Sequence, residues 1–251
     1  MKSVMVTSLP KSFSTPLYKI VRRSLPWYKT ANRVARHGEI FSLLPDALET
    51  LYGHQDVEAV VSHFRQYSLG HLAKDVLAPG VMKHLVNDFH LLFMRRPVED
   101  LLYLRIHRQA FKWELGLLPR ELLFDFVPPS YKAISSADKP LVETMKQELA
   151  DGLLWAHLEL SSVAHQVVDF DDVTSQPEAL WASLDALGLR PNKVNYINTK
   201  FVKLREERLK MRTTSEYEDL ALLVERRRPV VQEVWNSRLQ KQNDILSKVR
   251  E

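Results

Sequence analysis

The chain has 251 residues, 45% hydrophobic and 26% charged, which suits one large soluble domain with a substantial core. No apolar run approaches the roughly 18 residues of a membrane helix. The absence of cysteine excludes disulfides, thiolate metal sites and cysteine nucleophiles, and fits a reducing, cytoplasmic setting. The net charge of +4 is unevenly distributed: residues 1–38 hold eight Lys or Arg and no acid, 39–199 balance to −8, and 200–251 to +4. Basic ends around an acidic middle suit a polyanion or a small, multiply charged nucleotide. An acid-free N-terminus also resembles a transit peptide, but this one opens on a strand-like run instead of an amphipathic helix.

From the amino end, Val4-Met5-Val6 predicts a buried parallel strand. The turn Pro10-Lys11-Ser12-Phe13-Ser14-Thr15 follows, with one lysine and three hydroxyls. Pro16 opens a helical pattern through Leu17, Ile20, Val21 and Leu25, with Thr15 or Ser14 as the expected N-cap. Strand, hydroxyl-rich turn and helix N-terminus gather free N–H groups and a lysine at one point, which makes an anion site for phosphate. Simple capping would use the same residue types. The Walker pattern GxxxxGKS or GxxxxGKT is absent.

Residues 26–55 read as helix and loop, with Trp27, Ile40 and Leu44 among the expected core. Glu58 to Phe64 reads as a second short strand, and Pro79 as the start of a helix carrying Val81, Leu85 and Val86. His90 to Met94 predicts a third strand that runs into Arg95-Arg96-Pro97. A helical pattern then extends from Pro97 to about Gly116, and 128–139 is a loop. A long helix is expected from Pro140 to Ser162. A strand at Gln166-Val167-Val168 leads to an acidic turn, Asp169 to Asp172. Ser175 with Glu178 forms a capping-box pattern for a helix over 178–187 that stops at Gly188. Residues 200–228 and 229–250 read as two charged helices.

Strands alternating with amphipathic helices predict an α/β fold: a three-layer sandwich with a central, mainly parallel sheet flanked by helices and a helical C-terminal extension. Residues 1–199 form the α/β domain, and 200–251 a charged helical extension packed on it. Ligands of parallel sheets bind beyond the carboxyl ends of the strands. The first strand ends at Lys11 and the third at Arg95, so the two cations are expected to face one crevice and hold two separate phosphates.

These residues resemble the sulfotransferases that use 3′-phosphoadenosine 5′-phosphosulfate. Their phosphosulfate loop reads PKSGTTWL or a close relative, and Pro10 to Leu17 corresponds to it. The resemblance implies that Lys11, with Ser12, Phe13, Ser14 and Thr15, holds the 5′-phosphosulfate, and that Lys11 neutralises charge on the bridging oxygen. The family's second motif is a strand ending in Arg-x-Pro with a serine eight residues after the arginine. Arg95 would thus bind the 3′-phosphate, with Tyr103 where the serine is expected. The stretch from Gln166 through PEALWASLDALGL is similar to the region before the family's last helices. Phe13 replaces the family glycine, Pro16 the usual aromatic residue, and the RKGxxG segment is missing.

The family's general base often lies between the two motifs, a window that holds His54, His63, His71, His84 and His90. Gly70 to Asp75 resembles the region before the second motif, which makes His71 the first choice and His63 the second, with Lys74 assisting at the leaving oxygen. His157 and His165 read as packing residues. The expected activity is transfer of a sulfuryl group to a hydroxyl or amine of a small-molecule acceptor, with no metal, membrane or nucleic-acid partner. The alternatives are a non-catalytic sulfotransferase-like protein that binds nucleotide or polyanion, and a P-loop kinase relative. The charged C-terminal helices also suit a homodimer contact.

Overall fold

The computed structural model describes residues 1–9, 12–30, 40, 57–76, 79–108, 139–194 and 199–250. Five strands form its sheet: β1 (Ser3–Ser8), β2 (Lys29–Thr30), β3 (His71–Asp75), β4 (Phe89–Arg95) and β5 (Gln166–Asp169). Their order is β2-β3-β1-β4-β5, and every pairing is parallel. The helices are α1 (Ser14–Ser24), α2 (Val57–Arg65), α3 (Val98–Arg108), α4 (Lys139–Val163), α5 (Phe170–Ser175), α6 (Pro177–Ala186), α7 (Thr199–Arg212) and α8 (Ser215–Arg250). A 3₁₀ helix spans Pro79–His84.

Both faces of the central strands are covered, so β1 and β4 read as near-continuous apolar runs and alternate only between two cores. Val4, Val6, Leu92 and Met94 meet Leu17 and Val21 of α1, Leu180 of α6 and Phe201 of α7. Met5, Leu91 and Phe93 meet Val60 of α2, Leu101 of α3, Leu153 of α4 and Val224 of α8. The result is the expected three-layer α/β sandwich. Residues of the C-terminal segment enter both cores, Phe201 one and Val224 the other.

The connection from β1 through α1 to β2 runs towards one edge and lies in the first layer. Every later crossover runs the other way, with its helices in the opposite layer. The winding therefore reverses at β1, and a crevice opens beyond the carboxyl ends of β1 and its neighbours.

Several local expectations are corrected. Residues 58–64 form α2, because Val57, Val60, Val61 and Phe64 recur at helical spacing and the last three are buried. The strand next to β1 is instead β3, whose Lys74 and Asp75 are buried polar residues that disguise it. Helix α1 begins at Ser14 after Phe13, so Pro16 lies inside its first turn and neither Ser14 nor Thr15 is the N-cap. The acidic turn is the helix α5, and Gln176 precedes α6 with no side-chain cap bond, which sets aside the capping box. The last two helices divide at Thr213 and Thr214, and Pro229 lies within α8. Leu220, Val224 and Val231 carry one buried stripe through that proline, so packing on the core outweighs the lost backbone bond. Expectations for residues 31–39, 41–56 and 109–138, including the loop over 128–138 and His54, lie outside the described residues.

Candidate functional site

Buried hydroxyls lie at the carboxyl end of β1 and in the turn into α1. Thr7, Ser8 and Ser12 are each no more than 1% exposed. Their side-chain oxygens have no hydrogen-bond partner among the described residues. Ser8 and Ser12 belong to the α1 side, whereas Thr7 alternates to the face of Met5 and Phe93. Buried hydroxyls left unbonded are uncommon, because each forfeits hydration without compensation. The amide of Ser12 donates to the Leu9 carbonyl at 3.1 Å, which brings the end of the strand and the start of the helix together. Lys11 and Pro10 lie outside the described residues.

Phe13 occupies the left-handed region at φ 67° and ψ 25°, a conformation that glycine adopts freely and a bulky residue does not. Its ring is held edge-on to Phe170 and Phe201, with centroids 6.0 and 5.2 Å away. Aromatic packing thus fixes a backbone turn that the sequence would not choose locally. Such strain collects where a loop must aim its amides at a ligand. Helix α1 has no side-chain cap bond and no acid in its first turn, so neither its cap nor its first turn neutralises the positive end of its dipole.

Lys74 crosses from β3 to this turn. Its Nζ donates to Thr15 Oγ1 at 2.9 Å, and the residue is 2% exposed. Of the residues expected at the site, Ser12, Phe13, Ser14, Thr15 and Lys74 are therefore brought together. Ser8 joins them by its place on the same face of β1 without having been singled out, since a hydroxyl ending an apolar strand reads as its solvent edge.

Arg95 ends β4 on the opposite side of the sheet, in the face shared by Phe93. It stands in register with Asp169 of β5. Arg95 Nε and Nη2 donate to the two carboxylate oxygens at 2.6 and 2.8 Å. This hydrogen bonding is the first cause of a raised Arg95 pKa, against the effect of burial. Nη1 makes no hydrogen bond among the described residues. Two of its three nitrogens are thus committed to Asp169. The pair lines a cavity of about 270 Å³ together with His157, Ser161 and Arg228. Burial, then Arg95 and Arg228, push the His157 imidazole down to about 3, and its Nε2 has no hydrogen-bond partner among the described residues.

Behind the same strand ends lies a buried carboxylate. Asp100, fully buried on α3, meets Arg96 at 3.3 Å, Arg208 at 2.5 Å, Arg212 at 3.4 Å and the Tyr217 hydroxyl at 2.8 Å. Burial, then the Asp100 charge, raises the Tyr217 phenol pKa. Arg208 also pairs with Asp171. Arg96 and Arg208 stack over Phe170, 4.6 and 5.3 Å from its centroid. Phe170 thereby links this arginine cluster to Phe13.

The histidine expectations fare differently. His71 begins β3, and its amide donates to Ser3 Oγ at the start of β1. It therefore sits at the amino edge of a parallel sheet, roughly 13 Å along the strand from Asp75 at the carboxyl edge. His63 lies in the last turn of α2 beside the same edge, with Nε2 3.0 Å from the Ile40 carbonyl and its ring edge-on to Tyr67, which is edge-on to His71. Neither histidine belongs to the crevice. Tyr103 faces α8, with its ring 5.9 Å from that of Tyr217.

No family model, curated protein or solved structure matches this chain. Among the described residues there is no cluster of three metal-ligating side chains, and no helix is long and apolar enough to cross a membrane.

Proposed function

We propose that this chain binds the 5′-phosphosulfate end of 3′-phosphoadenosine 5′-phosphosulfate at the β1–α1 turn and transfers its sulfuryl group to a hydroxyl or amine of a small acceptor. The observation that carries the reading is the pair of unpartnered buried hydroxyls of Ser8 and Ser12 at the turn into a helix N-terminus that has no side-chain cap. Phosphate and sulfate oxygens are acceptors only, so a cradle made of donors fits them.

Each residue has a distinct task. The hydroxyls and the first-turn amides of α1 orient the anion, while Lys74 supplies a buried cation next to Thr15. Sulfuryl transfer forms a bond from the acceptor oxygen or nitrogen to sulfur and breaks the bond to the bridging oxygen, where negative charge grows. Donors fixed beforehand at that point lower the barrier because they need no reorganisation. By the family resemblance Lys11 belongs to the same task. Arg95 Nη1 is the group that would meet a 3′-phosphate, with Asp169 competing for the other two nitrogens.

A nucleotide that binds only the folded protein must raise its melting midpoint. Adenosine 3′,5′-bisphosphate is expected to stabilise the chain and adenosine to do so much less. No shift at millimolar bisphosphate would overturn the reading. A shift with nucleoside triphosphate and magnesium alone would favour a kinase relative.

Two observations favour a second reading, a sulfotransferase-like fold that binds nucleotide without turning it over. Phe13 stands where the family has glycine, and Asp169 occupies two nitrogens of Arg95. Bisphosphate binding with no bisphosphate released from the sulfated donor, across a panel of phenols, alcohols and amines, would select it.

A further inference from the structure

Helix α7 is held to the domain along a narrow stripe. Of residues 201–212, Phe201, Arg208 and Met211 are buried, at spacings of seven and three that place them on one helix face. Val202 and Leu209 lie exposed on the same helix. A helix that buries so little apolar surface belongs to the segments that detach from a fold at low cost.

The stripe nevertheless reaches the β1–α1 turn. Phe201, near the amino end of α7, meets the Phe13 ring edge-on, and Phe13 also meets Phe170 edge-on. Two turns further on, Arg208 pairs with Asp100 and Asp171 and lies over Phe170. One helix therefore bears on both ring contacts of Phe13, directly through Phe201 and by way of Phe170 through Arg208. Phe13 is left-handed, a strained conformation for a bulky side chain that these contacts offset. When α7 detaches, Phe201 leaves the turn, and Phe13 relaxes into an ordinary backbone region. The amides and hydroxyls of residues 12–15 then no longer converge.

We propose that docking of α7 and anion binding at the β1–α1 turn are coupled through the Phe13–Phe201 contact, so that α7 controls the site. The inference rests on the anion-binding reading of that turn. Docked α7 holds Phe13 left-handed and presents the turn to the anion. A bound anion holds the same turn and keeps α7 docked. The two effects are equal in size, as linkage requires. Phe201 is thus a positioning residue that touches no ligand.

Hydrogen exchange of the full chain over residues 199–212 reads docking without any substitution. Adenosine 3′,5′-bisphosphate, and separately sulfate, are expected at saturation to slow it about fivefold or more, the low end of measured couplings. Phe201→Ala should weaken both ligands to a matching degree. Val202→Ala, on the exposed side of the same helix, should bind as the parent does. Glycine at position 13 adopts the left-handed region freely and offers no ring for Phe201 to hold. In Phe13→Gly the exchange of α7 therefore no longer responds to ligand, and adding Phe201→Ala changes binding no further. Exchange of α7 that ignores saturating ligand would overturn the proposal. So would a Phe201→Ala loss that persists undiminished in the Phe13→Gly background, since α7 would then act by another route. Protection of α7 by sulfate but not by bisphosphate would remove the nucleotide reading and leave the coupling standing. Binding of neither ligand to the parent would remove both.

Discussion

Arg95 and Asp169 close a bidentate pair, at 2.6 and 2.8 Å, across the carboxyl ends of two adjacent parallel strands. The side chains are 43% and 39% exposed, so solvent screens the pair and its worth to folding is under about 1 kcal/mol. Its larger consequence is to decide what else Arg95 can hold. Asp169→Asn is expected to leave stability nearly unchanged and to tighten adenosine 3′,5′-bisphosphate several-fold in titration calorimetry. Weaker binding instead would mean that Asp169 orients the arginine and does not compete for it.

Lys74, 2% exposed, is a cation deeply set beside the β1–α1 turn. Lys74→Met keeps the aliphatic stem and removes the charge. It should weaken bisphosphate binding by roughly tenfold to a hundredfold, the scale of a lost charge-assisted bond. The melting midpoint without nucleotide serves as the control. A collapse of that midpoint, with binding retained in the folded fraction, would show that Lys74 supports the fold only.

At Phe13 the usual order of substitutions is inverted. A side chain in the left-handed region costs about 1 kcal/mol relative to glycine. Phe13→Gly relieves this strain but loses the contacts to Phe170 and Phe201, whereas Phe13→Ala loses the contacts and keeps the strain. Urea denaturation should therefore find Phe13→Ala the less stable of the two by about 1 kcal/mol. Equal stabilities would show that the turn relaxes out of the left-handed region.

Asp100 is fully buried and is shared by three arginines. Removing one partner from a buried ion cluster strands the remaining charges, so Asp100→Ala should cost about 3–5 kcal/mol. Tyr217→Phe removes only a hydroxyl and should cost about 1 kcal/mol. Comparable losses in the two variants, measured by chemical denaturation, would show that water already screens the arginines.

His157 gives an acid-sensitive term. Its folded pKa, about 3, lies below the ordinary 6.5, so below pH 6.5 the unfolded chain takes up a proton that the folded chain refuses. Stability from this group is complete above pH 6.5 and declines as pH falls towards 3, by at most about 1.4 kcal/mol per pH unit. His157→Phe should make the acid side of a stability–pH profile shallower. Burial shifts His84, His90 and His165 in the same direction, so some slope remains. Glu159, raised by burial, opposes it as carboxylates begin to protonate. An unchanged slope in the variant would show that His157 titrates like an exposed imidazole.

The sequence by itself determined the layered α/β class, two strands that are buried on both faces, and the turn that receives Ser12 to Thr15. Long apolar runs and helical periodicities are local signals, and a hydroxyl-rich turn before a helix is a local signal as well. Three things were decided only in the tertiary structure. Lys74 and Asp75 became part of a central strand because the sheet gave them neighbours, where their polarity gave no strand signal. His71 was expected as a base from its place between two motifs, yet strand direction put it at the amino edge, away from the crevice. Arg95 was recognised as a cation at a strand end, but its commitment to Asp169 depends on the register of residues 74 positions apart. Strand order, strand direction and register are set by long-range packing, and spacing along the chain does not encode them.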